Sequence, residues 1–244
     1  MNDTPSETKL QLRIVPVTPL QQNCSLLWDE TTKHAVLVDP GGDIDRLMDA
    51  LAHFGLTLTR IWLTHGHADH AGAAAELRER TGVAVEGPHR DDQFWLDQIE
   101  ESGRRYGLRA ARNLTPDRYF EDGEQLDFEG VTFGVAHTPG HTPGHVVIHS
   151  ADLKIAFVGD VIFSGSIGRT DFPRSSHEQL IRSITGKLWA LGDEVTFIPG
   201  HGPASTFGQE RKTNAFVADK LTGYDGTPPE PPNAGAQKSS KRYA

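Results

Sequence analysis

Four potential metal donors fall within six residues of this chain, in the stretch Thr64-His65-Gly66-His67-Ala68-Asp69-His70, directly after the apolar run Ile61-Trp62-Leu63. In extended backbone, residues two apart face the same way, so His65 and His67 can address one ion. Asp69 and His70 come where the chain turns into an alanine-rich helix, and they can address a second ion beside the first. Four donors this close cannot all bind one tetrahedral ion without strain, so the spacing points to two metals. Gly66 is expected to permit a tight turn there, and Ala68 to leave room around it.

Three further donors stand where apolar segments end against glycine or proline. His141 lies in Thr138-Pro139-Gly140-His141-Thr142-Pro143-Gly144, Asp160 closes Phe157-Val158-Gly159-Asp160, and His201 sits in Pro199-Gly200-His201-Gly202. Polar groups at apolar strand ends are where α/β proteins place their sites. Imidazole suits zinc and iron, while carboxylates add charge and a harder oxygen, so zinc is the first expectation and iron or manganese remain acceptable. The other histidines (His34, His53, His89, His137, His145, His149 and His177) read as structural or exposed, with His145 the nearest to a supporting role because it shares a turn with His141.

Period-two alternation over Leu10–Val17 predicts a half-buried strand, and Cys24–Trp28 and His34–Val38 predict two more. Ile44, Leu47, Met48 and Leu51 recur at helical spacing, with Gly55 as the stop. Ile61–Leu63 reads as a short strand, Ala71–Arg80 as a helix stopped by Gly82, Val83–Glu86 as a strand and Asp91–Glu101 as an amphipathic helix. Strands return at Gln125–Phe128, Val131–Ala136, Val146–His149, Ile155–Val158 and Val195–Ile198. Ser176–Leu191 is the clearest late helix, with Ser176 and Gln179 spaced as a capping box. Strands in runs with helices after some of them suit two mixed sheets covered by helices, an αββα sandwich of the α/β (α+β) class, better than a strictly alternating doubly wound fold.

Composition narrows the function classes. The 244 residues carry a net charge of −9, and the only basic cluster is Lys238–Arg242, so a nucleic-acid groove is not expected. No stretch approaches the roughly 20 apolar residues that cross a bilayer, and Met1–Lys9 lacks the apolar core of a secretory signal, so a cytoplasmic protein without membrane partners is expected. Cys24 is the only cysteine, which allows no internal disulfide, and it reads as a small buried hydrophobe. Residues 1–9 are expected to be a flexible N-terminus, 10–225 the one folded domain that carries all seven donors, and the Pro-, Gly-, Ser- and Lys-rich stretch 226–244 a disordered tail.

The order Asp39, His65-x-His67-x-Asp69-His70, His141, Asp160, His201 resembles the metallo-β-lactamase superfamily, and within it the small glyoxalase II-like (hydroxyacylglutathione hydrolase) proteins. The resemblance runs from about Leu10 to Tyr224. It implies an αββα sandwich with its site at one edge between the sheets. It assigns His65, His67 and His141 to a first metal, Asp69, His70 and His201 to a second, Asp160 to a bridge between them, and Asp39 to orienting a histidine ligand. Asp69 and Asp160 are then the candidate catalytic carboxylates. Two metals about 3.5–4 Å apart can bridge a water and supply hydroxide near neutral pH for attack on a carbonyl. A thioester suits such a site, because a thiol of pKa near 8.5 departs without a dedicated general acid.

The expected substrate is therefore a small thioester, S-lactoylglutathione or a related hydroxyacyl thioester. Arg169, in Gly168-Arg169-Thr170-Asp171-Phe172, stands where the family places thiol-ligand contacts and could pair with a glutathione carboxylate or, equally, with Asp171. The family's tyrosine contact is replaced, on this alignment by Asp171. Too few residues follow His201 for the helical C-terminal domain of full-length glyoxalase II, so its share of the glutathione site is not expected. The sequence assigns no oligomeric state. The rival on the same fold is a persulfide dioxygenase-like enzyme with a single iron, which the 168–172 segment also resembles. A true β-lactamase is disfavoured by the absence of an export signal and by an aspartate at 160 where those enzymes commonly carry a sulfur ligand. A structural zinc domain is disfavoured by a site without cysteine.

Overall fold

The computed structural model describes residues 10–223, so the expectations for 1–9 and 226–244 fall outside the described residues. In chain order the elements are β1 (Leu10–Val17), β2 (Gln22–Asp29), β3 (His34–Val38), α1 (Ile44–Phe54), β4 (Thr57–Trp62), α2 (Ala68–Ala71), α3 (Ala74–Thr81) and β5 (Val85–Glu86). They continue through α4 (Gln93–Leu96), α5 (Ile99–Arg105), β6 (Gln125–Phe128), β7 (Val131–His137), β8 (Val146–Ser150), β9 (Ile155–Gly159), β10 (Ile162–Phe163) and β11 (Ser166–Ile167). The last are α6 (His177–Ser183), β12 (Thr196–Pro199), β13 (Ser205–Thr206), α7 (Phe207–Thr213) and α8 (Asp219–Thr222).

One sheet has the order β1-β2-β3-β4-β5 and the other β13-β12-β9-β8-β7-β6. Both are mixed, since β3/β4, β4/β5 and β9/β12 pair in parallel and the other neighbours antiparallel. Three buried apolar clusters separate four layers. Leu27, Val36 and Trp62 of the first sheet meet Phe133, Ile148 and Phe157 of the second. Leu47, Leu51 and Leu77 of the helices pack on the outer face of the first sheet, and Leu180, Ile184 and Phe207 on that of the second. This is the αββα sandwich expected from the sequence. Among the described residues, no helix is long and apolar enough to cross a membrane.

Most strand and helix positions agree with the periodicities, and Gly55 and Gly82 cap their helices in the left-handed region as expected of C-terminal glycines. Three expected helices differ, each for a tertiary reason. The helix expected over Ala71–Arg80 begins earlier, as α2, and breaks before α3, because Ala73 N–H is drawn to Pro40 O and Gly72 O to Arg112 N. The Asp91–Glu101 helix is split into a 3-10 turn over Arg90–Asp92, α4 and α5. Leu114 N–H takes the Leu96 carbonyl, and Asn113 Oδ1 takes the Glu100 N–H that would have bonded it. The Ser176–Leu191 helix starts with Ser176 accepting from Gln179 N–H, then widens over Ile184–Leu188 into π-type geometry and tightens over Trp189–Leu191. There the Thr185 hydroxyl donates to Ile181 O, a local competition with the helical ladder.

The short strands β10, β11 and β13 and the last two helices carry too few residues for a sequence periodicity, and none of them was expected. Every donor singled out from the sequence follows the C-terminal end of a strand or lies in the loop beyond it: Asp39 after β3, His65 to His70 after β4, His141 after β7, Asp160 after β9, His201 after β12. At this edge the two sheets are tied together by Asn23 N–H to Gly200 O at 2.7 Å and by the Asn23 side-chain amide to Pro199 O at 3.0 Å.

Candidate metal centre

His65 Nε2, His67 Nδ1 and His141 Nε2 converge, with 3.1 Å from His67 Nδ1 to each of the other two. Ligand nitrogens on one tetrahedral zinc, each about 2.0 Å from the ion, stand roughly 3.3 Å apart. A second group combines Asp69, His70 and His201, with His201 Nε2 at 3.1 Å and His70 Nε2 at 3.9 Å from Asp69 Oδ2. Asp160 lies between the groups. Its Oδ2 is 3.6 Å from His141 Nε2 and 3.9 Å from His201 Nε2, and its Oδ1 is 3.3 Å from His70 Nε2. All seven donors anticipated from the sequence are therefore brought together.

The backbone route to this convergence differs from the expected one. His65 and His67 are not in a strand. The ladder of β4 ends at Trp62 against the two-residue β5, and the histidines lie in the loop before α2. Gly66 is required less by a turn than by close approach, since a Cβ there would stand 2.8 Å from Trp95 Cβ. Gly200 is required in the same way: its Cβ would lie 2.1 Å from Asp160 Oδ1 and 2.4 Å from His70 Cε1.

Partners behind the ligands set the rings. Asp39 accepts from Thr64 N–H and Thr64 Oγ1–H and holds His70 Nδ1 at 2.9 Å. His141 Nδ1 bonds Arg169 O at 2.8 Å, and His201 Nδ1 bonds Leu20 O at 3.2 Å. With Nδ1–H so engaged, the Nε2 lone pairs of these three rings face the site.

Electrostatics favour cations here. Burial lowers the pKa of His65 far below the ordinary imidazole value and that of His67 to about 3, and it lowers His141 as well, so this triad is neutral and ready to donate. Burial opposes the charge on Asp160 and Asp69, yet the surrounding histidines, His70 foremost with His201 beside both and His141 beside Asp160, together outweigh it and hold both carboxyls below their usual range. Burial likewise opposes a proton on His70, but Asp160 and Asp69 raise its pKa well above normal, and the bond to Asp69 raises that of His201. Protons thus sit among the carboxylates where positive charge is demanded. His70 Nε2 and Asp160 Oδ1, which face the other donors, are buried without a hydrogen-bond partner, which is costly unless something else satisfies them. The donor set fits divalent metal ions.

Two supports stand behind these ligands: Asp92, which the sequence did not single out, and His145, which it placed nearest to such a role. Asp92 is fully buried and accepts from Gly66 N–H, Thr142 Oγ1–H and Gly144 N–H, joining the His65–His67 loop to the His141 turn. Burial pushes its pKa up to about 6 against the pull of those three donors. Its only sequence signal is a carboxylate beside apolar residues, which a surface helix would also show. His145 Nε2 accepts from Asp160 N–H at 3.1 Å, and its ring stacks on His65 at 4.6 Å, so it positions both. Asp92→Ala would strand three donors in the interior. It is expected to cost about 2–4 kcal/mol of stability and to lower metal content, read by thermal melting and elemental analysis; unchanged values of both would refute the bracing role.

Asp69, Asp160, His67, His141 and His201 open onto a cavity of about 460 Å³ walled by Trp95, Phe163 and Phe172, with Arg105, Tyr106 and Arg169 at its border. Arg169 forms a two-pronged salt bridge with Asp171 and lies over the Phe172 ring at 4.7 Å. Of the two pairings open to it from the sequence, the internal one is made.

A two-sheet sandwich with imidazoles and carboxylates gathered at one edge, open to a cavity, defines a metal-binding protein. The sequence pattern of the metallo-beta-lactamase superfamily matches residues 17–201, and the chain belongs to that superfamily. It is 45% identical to the hydroxyacylglutathione hydrolase GloC of Haemophilus influenzae over 86% of this chain and 100% of that one. Among solved structures, BLEG-1 B3 metallo-beta-lactamase superposes with a TM-score of 0.78 at 36% identity, covering 85% of this chain and 99% of the other. TTHA1623, solved in a di-iron-bound form, gives 0.76 at 36% identity, covering 84% and 100%.

Proposed function

We propose that this metallohydrolase cleaves a small thioester of the hydroxyacylglutathione type, using two divalent metal ions. The observation that carries the proposal is the Asp160 carboxylate, set between two three-donor groups, its Oδ2 3.6 Å from His141 Nε2 of one and 3.9 Å from His201 Nε2 of the other. His65, His67 and His141 would hold one ion, Asp69, His70 and His201 the other, and Asp160 both. Bound there, the ions supply Lewis acidity toward a carbonyl oxygen and lower the pKa of water toward neutrality. Zinc is the proposed metal, with iron the first alternative because the similar TTHA1623 binds two irons.

The chain's own groups account for the rest. Asp69 borders the cavity and is held ionised by His70 and His201, so it can accept a proton from the attacking water. Trp95, Phe163 and Phe172 exclude water and offer an apolar bed for the acyl group. Thiolate departure needs no dedicated general acid, so this step asks no proton of the cavity wall. Arg169 is exposed, and its pair with Asp171 is of the kind that contributes little, so a substrate carboxylate can exchange into it. The 45% identical GloC supports the choice of a glutathione thioester.

The test is elemental analysis of purified protein coupled to an S-lactoylglutathione hydrolysis assay. About two metals per chain and turnover of the thioester are expected. A single iron with oxygen uptake on a persulfide would replace this function with the dioxygenase alternative.

A further inference from the structure

Outside that cavity, His89, Asp91 and His137 bring one ligand atom each to within 4.8 Å of one another. We propose that these three residues form a separate, partly exposed binding site for one divalent transition-metal ion of the zinc type. From the sequence the two histidines read as structural or exposed; the tertiary structure pairs them.

The hydrogen bonds leave both rings with a lone pair on the same nitrogen. His137 Nε2 bonds Pro143 O at 2.8 Å, so its proton is there and Nδ1 is free to donate. His89 Nδ1 accepts from Asp91 N–H in a long 3.3 Å bond, which places its lone pair on Nδ1 as well. Asp91 Oδ2 lies 3.4 Å from that nitrogen, close to the roughly 3.3 Å that separates two donors on one tetrahedral zinc. Glu121 Oε2, 3.7 Å from His89 Nε2, faces the opposite ring nitrogen, where a carboxylate supports an imidazole ligand.

The rings are stacked, 4.2 Å apart and inclined by 21°. Lone pairs lie in the ring planes, so stacked rings aim them side by side rather than at one point. Occupancy therefore requires His89, in the loop and part exposed, to tilt out of the stack at the expense of its long bond from Asp91 N–H. The surrounding charge favours a cation: Asp91, Glu121 and Asp122 are acidic, Lys187 is already held by Asp122 and His137 O, and Arg90 lies over the Tyr119 ring. An ion here would clamp residues 89–91 to the end of β7. His89 N–H already bonds Gly144 O, and neighbouring Asp92 bonds the same turn, so the clamp would stiffen the segment that carries His141.

The test is calorimetric titration of the metal-loaded protein with Zn²⁺, with bound metal counted after equilibrium dialysis. Wild type is expected to take up one equivalent beyond its starting content. His89→Asn and Asp91→Asn should each weaken that uptake at least about tenfold, and the double variant His89→Asn/His137→Asn should abolish it, all with hydrolysis unchanged. If the double variant does not fold, the two single variants, at part-exposed and exposed positions, decide. The site is refuted if wild type takes up no further equivalent, or if the further equivalent binds His89→Asn and Asp91→Asn as tightly as wild type. Either outcome leaves the proposed thioester activity untouched, because the measurement counts metal rather than product.

Discussion

Asp160→Ala is expected to remove hydrolysis, with kcat reduced roughly a thousandfold or more, about 4 kcal/mol of barrier. The reason is geometric. One oxygen of Asp160 stands 3.3 Å from His70 Nε2 and the other 3.6 Å from His141 Nε2, so a single truncation takes a donor from both groups. It also leaves His70, whose proton Asp160 helps to hold, without its strongest neighbour. Metal content should fall with activity, while far-ultraviolet circular dichroism stays near wild type because β9 and its ladder do not depend on the side chain. Asp160→Asn separates charge from shape: it keeps one oxygen, and it should retain more metal than the alanine variant but little turnover. Hydrolysis by Asp160→Ala within a few-fold of wild type would sink the two-metal mechanism.

Exhaustive chelation should have the second large effect, on activity and stability together. A ligand that binds only the folded state adds about 4 kcal/mol of stability when present at a thousand times its Kd. For a domain of this size that corresponds to a fall in Tm of ~8–16 °C per site emptied. The stripped site would also bring the carboxylates of Asp39, Asp69 and Asp160 together with only protonated imidazoles to oppose them. Titrating metal back should restore the melting temperature and turnover, and the number of equivalents needed for full recovery counts the ions that work. A chelated protein that stays fully active and melts unchanged would remove metals from the mechanism.

Much of this centre was legible in the chain because its donors obey local rules. His65, His67, Asp69 and His70 are close in sequence, and their types admit few other roles at such density. His141, Asp160 and His201 each follow an apolar run and a glycine, a pattern that marks the open end of a strand. What the sequence could not convey is pairing at a distance. Asp92 carries no motif, and its importance lies wholly in what it touches, Gly66 and Thr142; His145 is marked only by the turn it shares with His141, and its contacts with Asp160 N–H and His65 are tertiary. The stack of His89 on His137 joins a loop residue to the end of β7, so no spacing could announce it. The broken helices follow the same logic, since Asn113, Leu114 and Pro40 compete for backbone groups that a helix in isolation would satisfy by itself.

By itself the sequence determined the strand and helix periods, the stops at Gly55 and Gly82, and the identity of the seven clustered donors, because each depends on residues within a turn or a strand of one another. Which donors share a group, with Asp160 between, was implied by the family resemblance; only the tertiary structure decided the distances at which they meet, the bracing by Asp92, and that Gly66 and Gly200 serve close approach. Those depend on how two sheets stack and where their edges meet, and stacking is set by the whole buried interface rather than by any one segment.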